Sequence, residues 1–282
     1  MKILILTQYY PPEVGAPQNR LSDLARRLSY AGIEVQVLTS MPNYNKMVIH
    51  DGYGKKFYLK ENFDGVIIHR SWIYVSKSKK IFPRLLNYFS FVVSSLLIGI
   101  FKTGKFDYIL VESPPLFLGI SGYLLKLIKR CKMIFNVSDL WPESAEKLGI
   151  VRSGFILRLS YGLEAFLYNR SFLITGQTMG IINNIQRRFP DRELFWFPNG
   201  IDPEAFDPQM EPTGWREKNG FKESDFIVLY AGIVGHAQGL ETLISAAGIL
   251  QDEDDIKIVI LGNGPEKSKL QHLCQEYGIS NI

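Results

Sequence analysis

Apolar runs alternate with amphipathic stretches along the first two thirds of the chain. Residues 2–7, KILILT, form an apolar run typical of a strand buried on both faces of a parallel sheet. Residues 19–30 then place Leu21, Ala25 and Leu28 at helical spacing. This alternation predicts βαβ units. Right-handed crossovers between them give an α/β fold with a doubly wound parallel sheet and helices on both faces.

The same pattern predicts the remaining elements of this first region. We expect strands at 34–38, 66–69, 108–111, 132–137, 172–175 and 194–197, and helices at 116–129, 153–169 and 179–189. Between residues 39 and 62 lies a polar and aromatic segment that is longer than a simple connection requires. We interpret this segment as a functional flap.

The composition changes at Pro198. From there to residue 225 the sequence is rich in proline, glycine and acid, which is typical of an interdomain linker. A second α/β unit follows, with strands expected at 226–230 and 257–261 and helices at 240–250 and 266–277. We therefore predict an N-terminal Rossmann-like domain at 1–197, a linker at 198–225 and a partial C-terminal Rossmann-like domain at 226–282. Two strands and two helices cannot cover both faces of a parallel sheet, so we expect this domain to continue in a longer protein.

Residues 85–101 form an uncharged segment flanked by Arg84 and Lys102. As a helix it would reach about 25 Å, which is short of a hydrocarbon core of about 30 Å, so a membrane span is disfavoured. Two interpretations stay open. Either the polar side chains Asn87, Ser90 and Ser94 face away and the opposite apolar side is buried in the core, or the helix lies on an anionic membrane. The second interpretation draws on nearby basic residues, namely Lys77, Lys79, Lys80, Lys102 and Lys105.

Composition and charge are those of an ordinary globular chain. The protein has 282 residues, of which 46% are hydrophobic and 21% charged, with a net charge of +4. These values exclude fibrous, disordered and integral membrane classes and give no indication of a nucleic-acid partner. Cysteine occurs only at Cys131 and Cys274, without zinc-site spacing. The apolar run at the N-terminus is too short for a secretory signal, so we expect a cytoplasmic location, either free or peripheral on the inner face of the membrane.

The first glycine turn follows the first strand, where open α/β sheets bind ligands. Gly15 lets the backbone approach a ligand, and Pro17 suits the first turn of a helix because its missing N–H is not needed there. Free amides at Ala16 and its neighbours would meet an anion. The spacing matches neither the nicotinamide fingerprint nor the P-loop, and a purely structural turn is the alternative.

Two further glycine turns belong to the second region. In the first of them, Gly232 and Gly235 allow close approach to a diphosphate, to which His236 and Gln238 could donate hydrogen bonds. The last turn contains Gly262 and Gly264 before a helix. For both turns the alternative is a tight loop whose glycines serve packing and bind no ligand.

Asp139 follows the strand at 132–137 and begins the sequence DLWPES. Its carboxylate either contacts a sugar hydroxyl or acts in proton transfer, or else it caps the following helix. Residues 252–255 are acidic, but they lie at the opposite end of the strands, so we expect a solvated loop and no metal site. The histidines do not assemble into a catalytic triad, which disfavours hydrolase chemistry.

Several motifs together resemble the family 4 glycosyltransferases of GT-B fold. They are ILILTQYYPPEVGAPQNR, FNVSDLWPESAEKLG, FPNGID, YAGIVGHAQGLETLI and ILGNGPEKSKL, in the family's order along the chain. Within that family the chain is most similar to the bacterial branch that includes N-acetyl-L-fucosamine transferases of O-antigen and capsule synthesis.

This resemblance implies a retaining hexosyltransferase that needs neither metal nor cofactor. The donor would be a nucleotide-sugar, most often linked to UDP, held mainly by the C-terminal domain. The acceptor would be an undecaprenyl-diphosphate-linked saccharide held mainly by the N-terminal domain. By the same resemblance, Gly15 and Ala16 match the loop near the diphosphate, residues 232–238 match the loop beneath it, and Asn199 and Gly200 match the crossover between the domains.

The chain also departs from the family's pattern. Ile233 and Gln238 stand where many members have Arg and Lys, and Asp139 stands where many have His. The family's paired glutamates would fall after Ile282, so we expect this stretch alone to be inactive. Two other functions stay open, namely a noncatalytic carbohydrate- or lipid-binding module and a sugar-nucleotide 2-epimerase of similar fold.

Overall fold

The computed structural model describes residues 1–44, 47–78, 81–149, 154–200, 203, 209 and 213–282. The predicted basic residues Lys79 and Lys80, the predicted helix start at Ser153 and the last two residues of FPNGID lie outside these ranges. The chain divides into two compact units, Met1–Ile201 and Asp202–Ile282. The division falls inside the segment predicted as a linker.

The first unit is built around one eight-stranded sheet with the order β3-β4-β2-β1-β5-β6-β7-β8. All neighbouring strands are parallel except β3, which runs antiparallel to β4. The strands are β1 (Lys2–Leu6), β2 (Glu34–Ser40), β3 (Tyr58–Phe63), β4 (Val66–Ser71), β5 (Tyr108–Ser113), β6 (Lys132–Val137), β7 (Leu173–Gly176) and β8 (Leu194–Trp196). The predicted α/β class with a largely parallel sheet is confirmed.

Helices lie on both faces of this sheet. They are α1 (Ala16–Tyr30), α2 (Ile81–Phe101), α3 (Leu118–Lys129), α4 (Glu143–Lys147), α5 (Gly154–Arg170) and α6 (Met179–Arg188). Ile5 of β1 packs with Leu21 and Ala25 of α1 in one core, whereas Leu4 and Leu6 belong to a second core shared with the other long helices. Successive side chains of a strand point to opposite faces, so α1 covers one face, and α2, α3, α5 and α6 cover the other.

The predicted flap contains a strand. Residues 58–63 form β3 and pair with β4 at the edge of the sheet. The sequence YLKENF has polar residues on both sides because an edge strand exposes much of its surface, which is why its pattern resembles a loop. The rest of the flap, as far as the structure describes it, lies between β2 and β3 and is fastened to the first glycine turn, as shown below.

Helix α2 buries the side opposite to the one predicted for a core helix. Asn87, Ser94 and Ser95 are buried, with relative exposures of 4%, 2% and 0%. Each has a hydrogen-bond partner: Gln8 for Asn87, Ser71 for Ser94 and Ser121 for Ser95. The apolar side chains of Leu86, Phe89, Val93 and Leu97 are instead exposed. The expectation that the apolar side fills the core is therefore wrong for these four residues, because the hydroxyl and amide groups have partners inside and stay buried. Leu96 and Ile100, from the same predicted side, do pack against the core.

The described part of the second unit contains a parallel pair of strands and three α-helices. The strands are β9 (Phe226–Ile233) and β10 (Ile256–Asn263), and the helices are α7 (Trp215–Lys218), α8 (Glu241–Ile249) and α9 (Lys267–Glu276). Val234, Leu240, Ile244 and Leu270 form its small core. Residues 252–255 form an exposed turn. The helix α7 lies in the stretch predicted as a linker.

Candidate functional site

The carboxyl ends of the parallel strands of the first unit bring together residues that are far apart in the sequence. The connections after β1, β5, β6 and β7 all leave the sheet at this edge, which we call the site edge. Ligands of open α/β sheets bind at such edges. The predicted residues Gly15, Asp139 and Asn199 follow β1, β6 and β8, so all three lie along it.

Arg20 on α1 connects these segments. Its guanidinium donates to Glu112 of β5 at 2.6 Å, to the Ser138 hydroxyl at 3.1 Å and to Asn199 at 3.3 Å. Glu112 is buried and also accepts from Asn136 at 2.7 Å. This network fixes the helix that follows Gly15, the residue before Asp139, and Asn199 relative to one another.

Sequence reasoning missed Arg20 and Glu112. A signal was present, because Glu112 interrupts the apolar strand YILVES, and a buried carboxylate needs a partner of opposite charge or several hydrogen bonds. The pairing of Glu112 with Arg20 could not be predicted from the sequence, because these two residues are 92 positions apart.

The first turn of α1 is open to an anion. Gly15 caps the helix without a side chain, and the first turn contains no acid. Pro17 lies in that turn, as predicted. Backbone amides at the start of a helix of this length carry a partial positive charge and lack acceptors within the helix.

Gln18 lies directly beside Gly15 and is fully buried. Neither polar atom of its amide has a hydrogen-bond partner in the part of the chain that the structure describes. A Cβ atom on Gly15 would lie 2.5 Å from the Gln18 Oε1. The absence of a side chain at Gly15 therefore makes room for the Gln18 amide.

A buried carboxylate fastens the flap to the first glycine turn. Glu13 accepts hydrogen bonds from the amides of Asn43 at 2.6 Å, Tyr44 at 2.7 Å and Tyr10 at 3.3 Å. Burial raises the pKa of Glu13, while these amides and Arg70 act in the opposite direction. Beside this contact lies a cavity of about 490 Å³, lined by Pro12, Glu13, Val14, Tyr44, Val48, Ile49, His50 and Asp51.

Asp139 is exposed, and its side chain accepts from the Ser144 hydroxyl. The position before α4 is taken by Pro142, and no side chain caps that helix. Asp139 is therefore not the helix cap that one interpretation predicted. Its carboxylate stands at the site edge next to Ser138, where a polar substrate group can reach it.

The structure places the remaining residues of the first unit as follows. Ala16 is the first residue of α1, as its predicted role requires. Asn199 and Gly200 are both exposed, and a Cβ atom on Gly200 would meet nothing within 4 Å. The packing around position 200 therefore does not require a glycine.

The glycines of the second unit divide into two kinds. Gly232 and Gly262 lie inside β9 and β10, opposite each other, and not in turns as predicted. A Cβ atom on Gly262 would lie 2.0 Å from the Gly232 carbonyl oxygen, and one on Gly264 would lie 2.1 Å from the Val234 carbonyl oxygen. Close packing of backbone against backbone thus accounts for Gly262 and Gly264.

The segment after β9 is different, because it presents free amides. Residues His236–Gln238 form a single 3₁₀ turn, and the side chains of His236 and Gln238 are exposed. Among the described residues, no acceptor takes the amides of Gly235, His236 or Ala237. We call this segment the amide turn. Its exposed N–H groups and the two polar side chains offer donors to an anion.

The other candidate centres have structural explanations. His69 is buried and bonded to Tyr58 and Gln36, and burial lowers its pKa to about 4. Burial raises the pKa of both cysteine thiols, to about 11 for Cys131. No cluster of three or more metal-binding side chains occurs among the residues that the structure describes.

Comparison with known proteins then connects these features to a family. Residues 213–282 match the family described as glycosyl transferases group 1. This match covers most of the second unit. Over the whole chain, a glycosyl transferase assigned by name to colanic acid biosynthesis, WcaI of Escherichia coli, is 27% identical, with 100% of this chain and 70% of that protein aligned.

Solved glycosyltransferase structures share the fold of the whole chain. Sucrose-phosphate synthase from Thermosynechococcus elongatus superposes with a TM-score of 0.69 at 16% identity, covering 99% of this chain and 68% of that one. HepE of Anabaena, solved in complex with UDP and glucose, superposes with a TM-score of 0.65 at 15% identity. The superposition covers 100% of this chain and 67% of that one. The chain therefore shares the fold of these structures, and the predicted GT-B fold is confirmed.

Proposed function

We propose that this protein is a glycosyltransferase of surface polysaccharide synthesis that transfers a hexosyl group from a nucleotide-sugar to a saccharide acceptor. The observation that carries the proposal is the network around Arg20, which holds the start of α1, Ser138 next to Asp139, and Asn199 at one sheet edge. The match of residues 213–282 to the glycosyl transferases group 1 supports the same conclusion, and so does the similarity to a protein named for colanic acid biosynthesis.

The amide turn is the proposed site for the diphosphate of the donor. Diphosphate oxygens accept hydrogen bonds from backbone amides, and His236 and Gln238 add side-chain donors. We propose a UDP-sugar as the donor, supported by the UDP in the complex of HepE. No charged side chain extends from the amide turn itself, so oriented amide dipoles supply most of the stabilisation there.

The cavity beside Glu13 is the proposed site for the acceptor sugar. Its volume lies within the range of sites that hold small molecules, and it combines the Tyr44 ring with the polar groups of His50 and Asp51. We propose a lipid-linked saccharide, with an undecaprenyl-diphosphate carrier, as the acceptor. This proposal includes a cytoplasmic location at the inner face of the membrane.

We propose a retaining reaction without a metal ion, in which donors stabilise the departing diphosphate and one of its oxygens helps to remove the proton of the acceptor hydroxyl. Charge develops on the diphosphate in the transition state, so fixed donors lower the barrier. Asp139 contacts a hydroxyl of the reacting sugar and orients it. The carboxylate oxygen that does not accept from Ser144 is the group that makes this contact.

A transfer assay tests the proposal. The protein in its complete reading frame is incubated with UDP-, GDP- and ADP-sugars and a lipid extract, and both nucleoside diphosphate and lipid-soluble sugar are measured. We expect both products together, from a UDP-sugar. Free sugar and nucleotide without acceptor would instead indicate an epimerase, and no turnover with any donor would contradict the proposal.

Asp139→Asn tests the role of that carboxylate. We expect transfer to fall by about a hundredfold, the scale of a lost catalytic contact. The melting temperature should stay the same because the side chain is exposed and caps no helix. Asp191→Asn, also exposed, is the control and should leave both unchanged. An unaltered rate in Asp139→Asn would remove this residue from the site.

A further inference from the structure

Three neighbouring helices of the first unit, α2, α3 and α5, all expose large apolar side chains. On α2 the stripe consists of Phe82, Leu86, Phe89, Val93, Leu97 and Phe101, with exposures from 40% to 75%. It follows helical spacing over about 29 Å at about 1.5 Å per residue. Surfaces of this kind rarely remain in contact with water without a partner.

The stripe continues over α3 and α5. Leu127 of α3 is 53% exposed, and Phe155 and Leu159 of α5 are 70% and 59% exposed. Tyr123 of α3 packs edge-on against Phe166 of α5, with ring centroids 4.8 Å apart. Lys129 of α3 donates to the carbonyl oxygens at the end of α2. The three helices therefore form one layer, and we call its outward side the lipid face.

The lipid face lacks exposed acidic groups among the described residues of its helices. The only carboxylate in α2, α3 and α5 is Glu164, which is fully buried and paired with Arg188. Exposed basic residues lie in or just after these helices, namely Arg84, Lys102, Lys105, Arg130, Arg158 and Arg170. An apolar surface with mainly basic residues beside it is complementary to an anionic bilayer. Two copies of it would repel each other.

Helix α1, on the other face of the same sheet, serves as an internal comparison. It buries Leu21 and Ala25 and presents Asp23, Arg26 and Arg27 outward, as an ordinary soluble helix does. The apolar exposure is therefore a property of one layer, not of the fold in general.

A membrane span does not fit the geometry of α2. By length and composition Phe82–Phe101 is apolar enough to cross a membrane, with a mean hydropathy of 1.6, but 39% of its apolar window is buried. Asn87, Ser94 and Ser95 bind it to the sheet and to α3. Only its outer face is available for lipid, which corresponds to a helix that lies in the plane of the interface.

We propose that the lipid face docks the first unit onto an anionic lipid bilayer. Helix α2 follows β4, so it begins near the site edge. Helix α5 ends beside the end of α3, where Lys126 donates to the Arg170 carbonyl oxygen, so it too begins toward that edge. Arg84 and Arg158 lie in the first two turns of α2 and α5. Arg84 is close enough to Tyr9, in the first glycine turn, to interact with it electrostatically. Docking therefore brings the site edge close to the lipid headgroups. The proposal concerns binding alone and does not depend on the proposed reaction.

Vesicle flotation tests the docking. Protein is mixed with vesicles of phosphatidylglycerol and phosphatidylcholine, or of phosphatidylcholine alone, at low salt and at about 0.5 M salt, where charges are screened over a few ångströms. We expect binding to the anionic vesicles, weakened by salt, and little binding to the neutral ones. Equal binding to both, or to neither, would overturn the proposal.

Paired variants separate the two components of the lipid face. Arg84→Glu with Arg158→Glu should weaken binding by about tenfold or more, whereas Arg84→Lys with Arg158→Lys should retain it. Val93→Asp with Leu159→Asp should also weaken it, because both side chains are more than half exposed. Matched controls are Lys218→Glu with Lys222→Glu in the second unit, and Tyr30→Asp on α1.

Thermal melts of the same variants check folding, which these exposed positions should leave intact. If the controls reduce binding as much as the lipid-face variants do, the docking surface is wrong. If wild-type protein is a dimer that Val93→Asp with Leu159→Asp separates into monomers, the face binds a second copy, and the proposal is overturned.

Discussion

At the scale of single residues, Arg20 is the position with the most consequences. Its side chain is 13% exposed and that of Glu112 is 3% exposed, and the two are 2.6 Å apart. A charge pair at this depth is sensitive to the loss of one partner, because the remaining charge stays buried without compensation.

Arg20→Met should therefore lower the free energy of unfolding by about 3 kcal/mol and also reduce transfer, since Ser138 and Asn199 lose their common donor. Chemical denaturation and the transfer assay measure the two effects. Arg27→Met on the same helix is the matched control. Its ion pair with Asp23 is largely exposed, so we expect a loss of at most about 1 kcal/mol. Equal losses for both variants would mean that the Arg20 pair has no special role.

Substitution by alanine should have opposite effects on stability at Gly262 and at Gly200. In Gly262→Ala the new Cβ meets a backbone oxygen at 2.0 Å, which cannot move away without shifting β9. We expect a lower melting temperature for the second unit. In Gly200→Ala the new Cβ has no neighbouring atom within 4 Å, so stability should stay unchanged. Any loss of transfer activity in this variant would then indicate that Gly200 lies in the binding site. Scanning calorimetry of both variants checks this, and an unchanged transition in Gly262→Ala would contradict the packing explanation.

His69 makes folding stability dependent on pH. Its pKa in the folded protein is about 4, against an ordinary value of 6.5, because burial disfavours the imidazolium. Between these values the unfolded chain takes up a proton that the folded protein does not. Stability is thus fully present above pH about 6.5 and is lost as the pH falls toward about 4, by about 3 kcal/mol in total. Denaturation curves at several pH values should show this slope, and His69→Gln should remove most of it.

At the scale of elements, α2 shows what hydropathy reveals and what it does not. The pattern predicted a helix in this region, and a helix is present. The choice of buried face depended on the partners of Asn87, Ser94 and Ser95. These partners come from the turn after β1, from β4 and from α3, and they cannot be inferred from a local window. A similar limit applies to β3, which is recognisable only from its pairing with β4.

The reversed orientation of α2 is testable by stability. Asn87 accepts from Gln8 at 3.0 Å and donates to the Tyr74 carbonyl oxygen at 2.6 Å. Asn87→Leu should therefore destabilise the protein by about 1–3 kcal/mol, because two buried groups lose their partner. Val93→Ser on the exposed side should change stability by less than about 0.5 kcal/mol. If Val93→Ser is the more harmful change, the helix buries the other face.

For the glycine turns, the sequence predicted where some of the glycines lie but not why each position needs a glycine. It placed Gly15 at the start of α1, and the structure has Gly15 there. It did not distinguish Gly262 and Gly264, which backbone contacts explain, from the amide turn, which presents free donors. That distinction depends on the register of β9 and β10, which no local pattern encodes. The roles of these residues in binding stay predictions.

At the scale of the whole molecule, the alternation of strands and helices was sufficient to predict the fold class. Short parallel strands and amphipathic helices are local signals, and right-handed crossovers limit the ways of connecting them. The network around Arg20 could not be predicted from the sequence, because it joins residues from α1, β5, β6 and the end of the first unit. Sequence reasoning thus located the site edge but not the side chains that hold it together.

The central claim is that the amide turn binds the diphosphate of a nucleotide-sugar. A crystal structure of the protein in its complete reading frame with bound UDP tests this most directly. The account predicts diphosphate oxygens within about 3 Å of the amides of Gly235, His236 or Ala237, the ordinary length of such hydrogen bonds. UDP ordered at another place, with these amides facing only solvent, would contradict it.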